Sequence, residues 1–137
     1  MFDIEICLPR KTILVRFRGQ LNAADFAALD AIGRAKKDEG PYDCIFDMTH
    51  VGETALSTEF VASRGDLPQA YKDRARIYVV PNPDLKLLVR LYAEYQASRG
   101  WRPPAVVDRL DEALAALDLC ASDFRKVPPE ALGQPGW

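Results

Sequence analysis

The feature that most constrains this chain is a change of hydrophobic period along it. Phe2, Ile4, Ile6 and Leu8 alternate with Asp3, Glu5 and Cys7, and after Pro9-Arg10 the alternation resumes at Ile13, Val15 and Phe17. Period two marks half-buried strands, so the chain is expected to open with an antiparallel pair that turns one face to a core. Gly19-Gln20 is expected to end the second strand. The period then becomes helical: Asn22 can cap, Asp25 follows three residues on, and Leu21, Phe26, Leu29 and Ile32 form a stripe that Gly40-Pro41 stops.

Further on, Cys44-Ile45-Phe46 and Ile77-Tyr78-Val79-Val80 are short continuous apolar runs, the pattern of central parallel strands covered on both faces; Ala105-Val106-Val107 is expected to be a further strand. Helical signals separate them. Ser57 or Thr58 can cap a helix carrying Phe60, Val61 and Leu67. Asn82-Pro83-Asp84 opens another, in which Leu85, Leu88, Val89, Tyr92 and Tyr95 recur until Gly100. Asp108 is expected to cap a last one with Leu110, Leu114 and Leu117 as its stripe. The predicted fold is α/β, in the order β-β-α-β-α-β-α-β-α, with a mixed sheet of about five strands and helices packed on it. Residues 1–120 are read as the domain and 121–137 as an extended Pro-containing tail, which Trp137 could dock.

Composition narrows the function. Lys+Arg 18 against Asp+Glu 20, with no basic stripe, argues against a nucleic-acid partner. No apolar run approaches the roughly 20 residues of a membrane span, and the acidic start does not read as a secretory signal. Cys7, Cys44 and Cys120 are scattered, which fits reduced thiols and a cytoplasmic setting. With one histidine, His50, neither a metal site nor a cofactor is expected.

The element order, together with Val15-Arg16-Phe17-Arg18-Gly19-Gln20-Leu21-Asn22, Phe46-Asp47-Met48-Thr49-His50-Val51 and Val107-Asp108-Arg109-Leu110-Asp111-Glu112-Ala113, resembles the STAS family of SpoIIAA-like anti-sigma factor antagonist domains over roughly residues 2 to 119. Broader relatives sharing that fold are grouped with Sec14-like lipid-binding modules. The resemblance implies a non-enzymatic regulatory or scaffold module whose partner is a protein, such as a kinase or anti-sigma-like regulator. It also implies an Asp-Ser pair, followed by Gly, opening the second helix, with the serine phosphorylated. Spacing from Asp47 places that pair on Ala55-Leu56. A shift of one residue brings Ser57 to the phosphoacceptor position, still without an acid before it, so a phosphoserine switch is not expected.

Asp47, read as lying at the carboxyl end of a central strand, begins the candidate partner surface, with Thr49, His50, Glu53, Ser57 and Thr58 on a long polar connection, 49–57. Each has a plainer role: Asp47 can hold loop N–H groups, and Ser57 or Thr58 can simply cap. Cys44 and His50 suggest a nucleophile and its base, but a cysteine inside an apolar strand should be buried and inert, so catalysis is not expected. Tyr92, Tyr95 and Trp101, with Tyr71 and Tyr78, could line an apolar pocket. The alternative function is therefore a small carrier or sensor of an apolar, lipid-like ligand, with the second and third helices closing over the sheet. Lys36-Lys37, Arg74 and Arg76 are expected to be solvated. Apolar positions on the antiparallel edge would suit a homodimer.

Overall fold

Alternation in the first two strands delivers Ile4, Ile6, Ile13, Val15 and Phe17 to one side of a sheet and Cys7 and Leu14 to the other. In the computed structural model, which describes residues 1–132, these strands are β1 (Phe2–Cys7) and β2 (Thr12–Leu21). They are followed by α1 (Ala23–Ala35), β3 (Asp43–Thr54), α2 (Thr58–Gly65), β4 (Arg76–Val79), α3 (Pro83–Ser98), β5 (Ala105–Val107), α4 (Leu110–Ala116) and β6 (Arg125–Lys126). Sheet order is β5-β4-β3-β2-β1-β6. The β1–β2 and β1–β6 pairs are antiparallel, and β2 through β5 are parallel.

The α/β architecture with its antiparallel opening pair is thus as expected, but the sheet has six strands rather than about five. The extra strand comes from the segment expected to be an extended tail. Its backbone pairs Lys126 with Glu5 and Arg125 with Ile6, and it carries Val127 into the core at 6% exposure. That pairing also covers the β1 edge at Glu5 and Ile6, part of the edge on which the homodimer expectation rested. Trp137 lies outside the described residues.

The helices divide unequally between the two faces. Phe26 of α1, Phe60 of α2 and Leu85 and Val89 of α3 pack on the face that carries Ile4, Ile13, Val15, Phe17 and Tyr78. Ala113 and Leu114 of α4, with Leu119, cover Leu14, Ile45, Ile77 and Val79 on the other. Caps explain where the helices start. The Asn22 side chain accepts from the Asp25 N–H at 3.2 Å and the Asp25 carboxylate accepts from the Asn22 N–H at 3.1 Å, a reciprocal box. Ser57 Oγ accepts from the Phe60 N–H at 3.0 Å, and Asn82 accepts from Asp84 and Leu85 ahead of α3. For α4 the expectation fails: Arg109 occupies the cap position with no side-chain hydrogen bond. Asp108 pairs instead with Lys86, whose hydrogen bond and charge hold its carboxyl below the usual value.

A chain ending at Phe124 loses the β1–β6 pairing and the burial of Val127, worth about 2 kcal/mol for a valine-sized side chain. Thermal unfolding should register that loss, and size-exclusion chromatography should show concentration-dependent association through the bared β1 edge.

Candidate functional site

The connection expected to be a polar loop is mostly strand. The parallel ladder between β2 and β3 continues to Leu21 opposite Thr54, so only residues 55–57 separate β3 from α2. Asp47 accordingly lies inside β3 and not at its carboxyl end. Two register shifts, between Arg16 and Arg18 and between Gly19 and Gln20, each give β3 one residue more than β2. Gly19 sits at the second shift with φ +72, a left-handed conformation that glycine adopts without steric cost.

Asp47 is a clasp for the first shift. It is 2% exposed, and one carboxylate oxygen accepts the Thr49 N–H at 3.0 Å and the Thr49 hydroxyl at 2.5 Å. The other lies 3.7 Å from the Arg16 guanidinium, which donates to Glu5 at 2.6 Å. Next to it, Arg18 donates to Asp3 and holds that carboxyl below its ordinary range. A line of paired charges therefore crosses β1, β2 and β3 on the face that α4 only partly covers.

Beyond the shift, His50 stands opposite Arg18 and Glu53 opposite Gln20. Paired residues in a ladder share a face, so His50 and Glu53 extend this charged surface. Both are exposed, as is Thr49. Ser57 and Thr58 are exposed too, but at the start of α2, which packs on the opposite face; Ser57 Oγ is engaged as the cap. The six candidates thus separate into one buried clasp, an exposed strand segment and a helix start.

Cys44 and His50 do not form a nucleophile pair: six residues of strand place them on the order of 20 Å apart. Burial pushes the Cys44 thiol up to about 12, with the neighbouring Asp43 charge adding to it.

The aromatic residues divide as well. A cavity of about 510 Å³ lies between α1 and the segment following α2, over Ile4, Ile13, Val15 and Phe46. Tyr71, Tyr78 and Tyr92 line it; Tyr95 and Trp101 do not. Tyr95 is turned against Gly65 of α2, so closely that a side chain on Gly65 would collide with it. The cover of this cavity is α1, in place of the expected α2 and α3, beneath which there is a void of only about 40 Å³.

Three of the cations expected to be solvated are built into the fold. Arg74, half-buried, donates to both carboxylate oxygens of Asp43 at 3.0 Å. Lys36 is 1% exposed and pairs with Glu39 at 3.4 Å. Arg76 lines the cavity and donates to the Tyr92 hydroxyl at 2.7 Å, to Gln96 at 3.1 Å and to the Arg102 carbonyl at 2.8 Å. The sequence reading missed Gln96, which is fully buried and donates to the Gly65 and Leu67 carbonyls at 2.7 and 2.8 Å, closing the end of α2. A polar residue in the helical stripe after Tyr92 was its only signal. Among the described residues no cluster of His, Cys, Asp and Glu could hold a metal ion, and no helix is long and apolar enough to cross a membrane.

Asp47→Ala should cost about 3 kcal/mol in denaturant unfolding, because Thr49 loses its acceptor and Arg16 one of its two carboxylates. A thiol reagent at neutral pH should label exposed Cys120 promptly, half-buried Cys44 far more slowly because its thiol keeps its proton, and Cys7 only on unfolding. The folded Cys44 thiol keeps its proton to about 12 against 9.0 when solvated, so its contribution to stability is complete below 9.0 and is lost as pH rises through that interval. Urea midpoints measured across this range should fall for the native chain and fall less for Cys44→Val.

No protein-family model and no curated protein matches the sequence. Among solved structures, one titled "Structure of the Anti-Sigma Factor Antagonist SpoIIAA in its Unphosphorylated Form" is similar to this chain with a TM-score of 0.54 and 17% identity, covering 86% of this chain and 96% of that one. With that coverage, the fold of this chain is the SpoIIAA-like, STAS-type α/β fold.

Proposed function

We propose that this chain is a non-enzymatic regulatory or scaffold module of the cytoplasm that binds a protein partner through the end of β3 and the start of α2. The observation that carries the reading is the extended β2–β3 ladder: it holds Thr49, His50 and Glu53 exposed on a firm backbone, and the chain then leads through 55–57 to the exposed Ser57 and Thr58 at the start of α2. A surface already ordered in the free protein loses little conformational entropy on binding. The solved SpoIIAA structure is described as an anti-sigma factor antagonist, and a protein partner is the corresponding expectation here. A kinase or an anti-sigma-like regulator fits it.

The module works without a phosphoserine switch. Leu56 precedes Ser57, so the acid is missing, and the Ser57 oxygen serves α2 as its cap.

A second reading, a carrier or sensor of an apolar ligand, is favoured by the cavity of about 510 Å³ beneath α1. A space of this size falls within the range of small-molecule sites.

The partner reading is tested by quantitative capture from native extract. A protein retained by the native chain should be lost with His50→Ala/Glu53→Lys and kept with Lys72→Ala, a remote control. Equal retention by all three would exclude this surface. Native mass spectrometry of the purified chain tests the second reading, which expects added mass that is lost on denaturation.

A further inference from the structure

One end of the large cavity has polar groups that its apolar walls do not explain. Arg76 and Tyr78 are two residues apart on β4, so both project to the cavity side of the sheet, and Tyr92 of α3 faces them with its ring 6.1 Å from that of Tyr78. Arg76 donates to the Tyr92 hydroxyl, an amide oxygen and a backbone carbonyl, so none of its hydrogen bonds goes to a carboxylate. Because the Tyr92 oxygen accepts from Arg76, its own proton remains free to donate. The Tyr78 hydroxyl, on a residue 9% exposed, makes no hydrogen bond with the described residues. It is therefore open to a partner in the cavity that Tyr78 lines.

On this basis, and resting on the ligand reading above, we propose that the cavity takes an elongated apolar carboxylate. Its tail lies under α1 on Ile4, Ile13 and Val15, and its carboxylate is received by the Tyr78 and Tyr92 hydroxyls and the Arg76 guanidinium. Two phenolic donors and one uncompensated cation match a carboxylate, which accepts several hydrogen bonds and carries the opposite charge. A neutral alcohol of the same length would satisfy fewer of these groups. The other cation near Tyr78, Arg64, is already committed to Asp30 of α1 at 2.5 and 3.1 Å. That pair lines the cavity and links α2 to α1.

The test is calorimetric titration of the full chain with dodecanoate and with dodecanol, both below their aggregation limits. Dodecanoate should bind at least about tenfold more tightly, since hydrogen bonds to a charged acceptor are the stronger class. Tyr78→Phe and Arg76→Met should each weaken dodecanoate by about fivefold or more and leave dodecanol unchanged. Leu29→Trp, which fills the space under α1, should weaken both probes. If the two probes bind equally and Tyr78→Phe changes neither, the assigned head-group site is wrong while the cavity remains a ligand site. If neither probe binds, the ligand reading falls with it.

Discussion

The register of β2 against its two neighbours is the constraint on which the rest of the structure depends. This strand pairs antiparallel with β1 and parallel with β3, and its residues feed two separate cores in alternation. Ile13, Val15 and Phe17 serve the face under α1, α2 and α3, while Leu14 serves the face under α4. A slip of one residue would exchange the two sets and drive Arg16 into the larger core. Arg16 itself secures the register in use, because Glu5 of β1 and Asp47 of β3 flank it on the charged face. Packing fixes which side is buried; these carboxylates fix where along its neighbours the strand stops.

That division explains what could be read in the sequence. The strands and helices whose side chains alternate or recur against a core announced themselves, as did the Asn22, Ser57 and Asn82 caps, which depend on neighbours within one turn. The outer half of β3 did not. Thr49, His50, Gly52 and Glu53 face water, so nothing in their side chains reports that β2 offers its backbone beside them. The same holds for β6, two exposed basic residues made a strand only by the bare edge of β1. Among the candidate site residues, Ser57 and the exposed positions were legible from polarity and order. Asp47 was singled out, but its burial as a clasp depends on Arg16, distant in sequence. Tyr92 and Tyr95 share a helical spacing, yet only Tyr92 reaches the cavity, because Gly65 draws Tyr95 against α2.

The cavity is a consequence of how α1 is held. Phe26 near its start packs 5.7 Å from Phe17 and 5.9 Å from Phe60, and Lys36 at its C-cap is buried. Between these anchors the helix presents Leu29, Ile32 and Gly33 to a floor of Ile4, Ile13 and Val15. Side chains of that reach do not close the gap between a helix propped at both ends and the sheet below it. Within the helix only Asp25 and Phe26 are buried, so α1 contributes little core along its length and is tied at mid-length to α2 by the Asp30–Arg64 pair. Between its ends the helix is held by the partial packing of Leu29 and Ile32 on the core and by one ion pair whose partners are partly exposed, and exposed pairs contribute little stability.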